Sequence, residues 1–483
     1  MENWWPTNKG ARVRGGLQKS ATVGSAAVTS LFSFNTTSTP KLFASTATSI
    51  FNISSLDPDT APTADINGQT SGYYSTEIMG TVGGEFLYAV NGTDSALLFD
   101  GSSWTVITGA SSPAITGVTT SNLSAVWKYR NRLFFVEKGT KKAWYLPVDS
   151  VGGAAQSVSL AGIFQGGGAL LFGATWSLDS GDGLDDKVAF ISEDGEVAIY
   201  QGSDPSGSDW SLVGRYDIAK PLGINCTMQA GGDLLIGTVD GIVPLSQVIT
   251  KDPAALSMSA VSRPIEPIWN YEARQAISPV ELIKWSDRGV GVVTLPEASR
   301  VFVINLQTGG WGIATGWTAN SSTVFSGKCY IGTDSGSVYA IDETGLDGTM
   351  PYTAKLCHSF VGDGSHLTSE LVRFTFYAAQ EFGLKASVAV DYIASDFPTA
   401  PNDAGLTLSD NYMIWDVSNW DEKNWWSEGV DEGTRTYTTR WIPVSGAGHV
   451  LAPQLQITSG QAVKPSIELI RTDFTYRQGR VVT

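Results

Sequence analysis

Short apolar runs recur along the first two thirds of the chain in pairs, each pair split by a tight turn. The clearest copies are Gly232-Asp-Leu-Leu-Ile-Gly-Thr-Val-Asp-Gly241-Ile-Val and Gly327-Lys-Cys-Tyr-Ile-Gly-Thr-Asp-Ser-Gly336-Ser-Val, which share Gly, Ile-Gly-Thr, Gly and Val in register. Each reads as a strand, a turn containing glycine, and a second strand, the signature of a β-hairpin. The form recurs more loosely in Lys41-Leu-Phe-Ala with Ser49-Ile-Phe-Asn, Glu85-Phe-Leu-Tyr with Ala96-Leu-Leu-Phe, and Arg132-Leu-Phe-Phe-Val with Ala143-Trp-Tyr-Leu. Lys187-Val-Ala-Phe-Ile with Glu196-Val-Ala-Ile-Tyr, and Val290-Gly-Val-Val-Thr-Leu with Arg300-Val-Phe-Val-Ile, complete a set of seven.

The turns centre near Ala47, Gly92, Gly139, Gly195, Gly241, Ala298 and Gly336, so successive spacings are 45, 47, 56, 46, 57 and 38 residues. A four-stranded propeller blade takes about 40 to 50 residues, and a blade cannot cover both of its faces without neighbours. The expected fold is therefore all-β: a β-propeller of about seven blades over residues 25–349, with six or eight left open, preceded by an N-terminal arm over 1–24. After Asp342 the pattern changes to longer alternating strands such as Leu371-Val-Arg-Phe-Thr-Phe-Tyr, Lys385-Ala-Ser-Val-Ala-Val and Ile467-Glu-Leu-Ile-Arg-Thr-Asp-Phe. Alternation marks antiparallel strands wet on one face, so an appended C-terminal β-sandwich domain is expected over 350–483.

Composition agrees with this reading. The 483 residues include 53 Gly and 16 each of Trp and Tyr, which favour short strands and tight turns. With 42% hydrophobic and 16% charged residues the chain can bury a sizeable core. A formal charge of −16 argues against a surface built to grip phosphates or anionic lipid, and is compatible with passive passage of DNA. The N-terminal residues lack the basic and apolar regions of a signal peptide, and no apolar run approaches the roughly 18 residues of a membrane helix. Synthesis in the cytoplasm and no membrane insertion are expected.

Candidate chemistry is sparse. Cys226, Cys329 and Cys357 are too scattered for a disulfide framework or a zinc site and read as buried small hydrophobes. His358, His366 and His449 show no metal-ligand spacing, although His358 and His366 could meet across a turn. Asp179, Asp182, Asp185 and Asp186 could offer oxygen ligands to Ca²⁺, but without the bidentate Glu and spacing of an EF-hand. No nucleophile elbow, phosphate loop or dinucleotide fingerprint occurs, and Glu193-Asp194-Gly195 reads as a turn and not as half of a glycosidase pair. The chain is expected to have no catalytic residue, cofactor or metal. Trp420, Trp425 and Trp426, in an acidic insert over 395–432, are assembly-contact candidates because exposed aromatics mark interfaces. Trp4, Trp5, Arg12 and Arg14 are the others, able to tie the N-terminal arm to an adjacent chain or to staple it to its own first blade.

Glu2-Asn-Trp-Trp-Pro-Thr-Asn-Lys-Gly-Ala-Arg-Val-Arg-Gly-Gly16, with Val28-Thr-Ser-Leu-Phe-Ser-Phe, resembles the start of a family of short-tailed phage virion proteins. Ile191-Ser-Glu-Asp-Gly-Glu-Val-Ala-Ile-Tyr-Gln-Gly-Ser-Asp-Pro, Trp210-Ser-Leu-Val-Gly and Ala452-Pro-Gln-Leu-Gln-Ile-Thr-Ser-Gly are similar to the same family, that of the tail nozzle, packaged-DNA stabilisation or tail tubular proteins. The resemblance implies a homohexamer below the portal and its adaptor ring, contacting other tail proteins and retaining, then conducting, double-stranded DNA without sequence specificity. It places the chain in the virion tail. The rival expectations are a receptor- or glycan-binding propeller at the tail tip and a tail-associated glycan hydrolase.

Overall fold

The sequence's seven hairpins become the second and third strands of seven antiparallel sheets. The computed structural model describes residues 1–36, 40–177, 186–362, 364–379, 382–401 and 435–479. Chain contacts divide it into two units, one of Lys19–Phe302 with Gly316–Ala340, the other of Met1–Gln18, Val303–Thr315 and Ile341–Thr483.

The larger unit is a seven-bladed β-propeller. Its first four blades are four-stranded meanders that open on Ser30–Phe34, Ser75–Thr81, Leu123–Tyr129 and Leu170–Trp176. Each opening strand is the terminal strand of its sheet, so one of its edges lacks a sheet partner. The fifth blade has three strands, Thr227–Ala230, Asp233–Thr238 and Gly241–Pro244. Helices take the place of its fourth strand: Asp252 caps Pro253–Leu256 by accepting from Ala254 N–H at 2.9 Å, and Pro at the first helical position needs no N–H partner. The helix Glu266–Gln275 docks through Trp269, fully buried, whose indole donates to the Thr238 carbonyl at 3.0 Å. The sixth blade is built on Glu281–Trp285, Val290–Thr294 and Arg300–Asn305.

The seventh sheet runs Ser321–Phe325, Lys328–Gly332, Ser337–Thr344, and its outer strand is Gly16–Thr22 from the other end of the chain. The segment expected as an arm over 1–24 therefore divides: Lys19 onward seals the ring, with Val23 N–H on the Gly336 carbonyl at 2.8 Å, while Met1–Gln18 belongs to the smaller unit. Closure removes the edges that an open β-array would expose. Leu31 N–H on Ser321 Oγ at 2.8 Å joins the seventh blade's first strand to the first blade's.

Apolar clusters straddle neighbouring blades, which is why no blade is stable alone. Phe32, Phe43, Leu87 and Phe99 pack between the first and second, Tyr88, Leu98, Leu133 and Phe135 between the second and third, and Val28, Leu42, Tyr330 and Val338 between the seventh and first. Phe43 meets Phe99 and Trp104 edge-on at 5.0 Å each. Complete burial of one such ring contributes about 2 to 3 kcal/mol.

The smaller unit is a two-sheet sandwich. One sheet runs Trp4–Pro6, Ala11–Val13, Ile467–Gly479, His366–Ala378, Arg435–Thr438, with Ile442–Pro443 and Ala447–Gly448 also paired to His366–Ala378. The other runs Tyr352–Cys357, Leu451–Ser459, Leu384–Val390. Alternation puts Phe374, Phe376, Leu384, Leu455 and Ile457 between them, with Trp4 in the same core. Cys226 and Cys329 are buried as expected, but Cys357 is exposed. It falls on an outward position of a strand whose residues alternate in and out.

Candidate functional site

The first strands of the blades surround a cavity of about 660 Å³ on the propeller axis.

Side chains from one blade close the free strand edge of the next. Ser33 Oγ donates to the Val324 carbonyl at 3.0 Å, Thr175 Oγ1 to the Lys128 carbonyl at 2.5 Å, and Gln229 Nε2 to the Thr175 carbonyl at 3.0 Å. Ser75 Oγ accepts from Val126 N–H at 3.1 Å. A β-strand whose edge looks onto an axis has no further strand to pair with, and these hydroxyls and amides satisfy it instead.

One end of the cavity is blocked. Asn225, just before the fifth blade's first strand, donates through Nδ2 to the carbonyl of Tyr74, just before the second blade's, at 3.0 Å. In a ring of seven, blades three steps apart are as far from each other as the ring allows, so this bond spans the axis. Gln229, further along its strand, is exposed and marks the opposite, open end.

Two carboxyls and one ammonium are among the described residues lining the cavity: Glu77 on the second blade, Lys128 on the third and Glu281 on the sixth. Burial pushes Glu77 up to about 7, with the nearby Lys128 ammonium pulling the other way. Glu77 is half-buried. Glu281 is 4% exposed. Its carboxylate accepts from Ser322 N–H at 2.9 Å, and burial outweighs this and the bonds from Ser321 and Asn225, so it too titrates at about 7. Among the described residues no cation stands among the influences on Glu281. The same burial, reinforced by the Glu281 charge, holds the Tyr73 phenol well above its ordinary value.

The cavity residues escaped the sequence reading. Glu77, Lys128 and Glu281 lie on first strands, which carry no repeat wording, and they meet only because the ring closes. A charged residue inside an otherwise apolar opening strand, as in Leu123-Ser-Ala-Val-Trp-Lys128-Tyr, is the signal that was there to find.

The expected assembly residues lie elsewhere. Trp4, Trp5 and Arg14 are buried within the smaller unit, at 0%, 1% and 0% exposure. Arg14 donates to both Asp347 oxygens at 2.7 and 2.9 Å and to Asn3 Oδ1 at 2.8 Å, and its guanidinium lies 3.9 Å from the Tyr352 ring centre. Arg12 reaches Asp342 bidentately at 2.8 Å and covers Trp5 at 4.6 Å. Asp342, fully buried, also takes Lys464 at 2.7 Å and Gly15 N–H at 2.7 Å. Burial would raise its carboxyl, but the Arg12 charge and its hydrogen bonds hold it at about 2. These N-terminal side chains staple the segment to its own sandwich and not to the first blade, with Arg12 left partly exposed. Trp420, Trp425 and Trp426 lie outside the described residues.

His358 accepts or donates at Thr472 Oγ1, 2.9 Å away, and His366 meets His449 with ring centres 5.8 Å apart, so the pair is not the one expected. Strand pairing of Leu367 with Gly448 is what brings those two together. Asp179, Asp182 and Asp185 lie outside the described residues, whereas Asp186 is buried and its carbonyl accepts from the Tyr129 hydroxyl at 2.9 Å. Among the described residues no three His, Cys, Asp or Glu side chains converge as a metal site. Glu193-Asp194-Gly195 is a turn, with Gly195 at φ +92°, and Asp194 accepts from Gly168 N–H at 2.6 Å. No described helix is long and apolar enough to cross a membrane.

No family model and no curated protein matches the chain. Among solved structures it is similar to the Cps50 (Swd1) β-propeller domain of Myceliophteria thermophila, at 11% identity over 68% of this chain and 99% of that one, with a TM-score of 0.43. Sqt1 of Saccharomyces cerevisiae aligns at 10% identity over 68% and 98%, TM-score 0.38. YCF48 of Cyanidioschyzon merolae aligns at 9% over 68% and 98%, TM-score 0.40.

Proposed function

We propose that the chain is a non-catalytic structural subunit of a short-tailed phage tail, a nozzle protein that assembles as a ring of copies around the path of the DNA. The observation that carries this reading is the resemblance, spread over both units, of Glu2–Gly16, Ile191–Pro205, Trp210–Gly214 and Ala452–Gly460 to that family. Geometry adds a constraint on how such a subunit would work. The axial cavity is crossed by the Asn225–Tyr74 bond. On this reading DNA passes along the axis of the ring of subunits and not through any one propeller. A chain of formal charge −16 would let phosphates slide past instead of holding them.

On this reading the protein resides in the virion tail after synthesis in the host cytoplasm. Its partners are further copies of itself, the portal-adaptor ring and other tail proteins. Purified chain mixed with phage adaptor rings and examined by light scattering and electron microscopy is expected to give a six-copy ring seated on the adaptor. A chain that stays monomeric alone and with adaptor rings would overturn the proposal.

A further inference from the structure

Two features of the axial cavity do not follow from a structural role. It is a blind, water-accessible space of about 660 Å³ at the heart of a folded unit, and it carries one more carboxyl than ammonium. Lys128 offsets Glu77 from the neighbouring blade, whereas Glu281 has hydrogen-bond donors but, among the described residues, no cation. Burying a carboxyl without a counter-ion is costly, and packing alone would be served better by an apolar residue at that position. The rest of the wall is rich in neutral donors and acceptors, with Thr227 and Thr323 beside seven strand edges.

We propose that this cavity is a binding site for a small ligand bearing one ammonium group and several hydroxyls, the chemistry of an aminopolyol or amino sugar, with Glu281 as its counter-ion. The ligand enters from the Gln229 end, because Asn225 and Tyr74 shut the other. Its ammonium supplies the charge that Glu281 lacks, and its hydroxyls replace cavity water along the strand edges. A cation placed there favours the ionised carboxylate. Binding therefore draws the Glu281 carboxyl below its ligand-free value of about 7, releases a proton near neutral pH, and strengthens as pH rises through about 7.

The test uses the full-length chain, with N-methylglucamine as probe and sorbitol as its uncharged counterpart, by titration calorimetry. N-methylglucamine, charged across this range like other alkylamines, is expected to bind at pH 8 at least tenfold more tightly than sorbitol. Its affinity should fall at least tenfold by pH 5.5, and buffers of differing ionisation enthalpy should report proton release near pH 7. Glu281→Gln should abolish the preference over sorbitol, and Asp57→Asn, in an exposed loop, should leave it unchanged. Equal binding of the two probes, no saturation in the millimolar range, or wild-type affinity in Glu281→Gln would each overturn the proposal. Should Glu281→Gln fail to fold, Glu77→Gln decides: proton release near pH 7 should persist in it, and its absence there or in the wild type overturns the site.

Discussion

The propeller and the sandwich bury acidic groups in opposite ways. Asp342 in the sandwich is fully buried between Arg12 and Lys464, and their charges keep it ionised down to about pH 2. Glu281 in the propeller is almost as deeply buried, has only neutral donors, and titrates at about 7. The sandwich thus uses charge as a fastener between segments that are far apart in sequence. In the propeller, apolar clusters between blades and a borrowed strand do most of the fastening, and Glu281 lines a cavity. The difference says which unit should depend on ion pairs for its stability and which should gain from losing a charge.

The severest way to break the comparison is at Arg14. Its guanidinium is wholly buried, bonded to Asn3 and Asp347 and stacked on Tyr352. Arg14→Ala leaves Asp347 without its cation and a void beside the Tyr352 ring, and is expected to destabilise the sandwich by about 3 to 5 kcal/mol. Chemical denaturation followed by tryptophan fluorescence would measure it. A loss under about 1 kcal/mol would mean that these bonds are incidental, and the sandwich would then be held like the propeller, by its apolar core.

The next effect lies at Glu281. A carboxyl raised from 4.5 to about 7 binds its proton more tightly in the folded state, so the stability it confers is complete below about pH 4.5 and is lost as pH rises through 7. Glu281 should cost the wild-type propeller up to about 3 kcal/mol over that window, beside the loss that Glu77 brings over the same range, and Glu281→Gln should remove the Glu281 share alone. The variant is accordingly expected to be the more stable protein at pH 8. Equal pH slopes for the two would show that Glu281 does not titrate in this way.

These two sites also show what could be read in advance. All seven hairpins found from the pattern are second and third strands of their blades, the strands buried on both faces, where apolar runs are densest: Phe134, Val136, Phe190 and Ile199 are almost wholly inaccessible. First strands look onto the axis and fourth strands onto solvent, so neither carries a repeat, and the cavity acids went unseen with them. The closing strand Gly16–Thr22 was hidden because its partner Ser337–Thr344 lies more than three hundred residues away. Trp4, Trp5 and Arg14 looked like contact residues because large aromatic and cationic side chains near a terminus are usually exposed. Their burial depends on Asp347, Tyr352 and Leu469, which no local pattern connects to them. Even so, the motif that carries the family resemblance now has a structural account. A Cβ at Gly10 would meet the Leu469 carbonyl at 2.0 Å and one at Gly16 the Leu346 carbonyl at 2.0 Å, while Asn3 takes up φ +59°, which Asn tolerates better than most residues.

A smaller effect sharpens the sandwich side of the comparison. Because Asp342 is held below its ordinary 3.8, its contribution is complete above about pH 4 and is lost as pH falls through about 2. The sandwich should lose about 2 kcal/mol across that acid limb, and Asp342→Asn should flatten it. Following the unfolding midpoint between pH 5 and pH 2 would show it, and an unchanged acid limb in the variant would remove Asp342 from the account.

The smallest expected effect comes from a propeller acid treated as the sandwich treats its own. Glu196 is 4% exposed, and its carboxyl is held below the usual range. Burial works against this, and the opposing influences are the N–H groups of Gln165 at 2.7 Å and Gly166 at 2.8 Å, ahead of Arg215. If backbone donors suffice to keep a propeller carboxylate ionised, removing the partly exposed Arg215 should matter little. Arg215→Ala is expected to cost about 1 kcal/mol or less by denaturant unfolding. Glu196→Ala would leave both N–H groups without their acceptor and should cost more than the arginine does. The reverse order would mean that the propeller, like the sandwich, relies on cations for its buried acids, and Glu281 would then be the exception within its own unit.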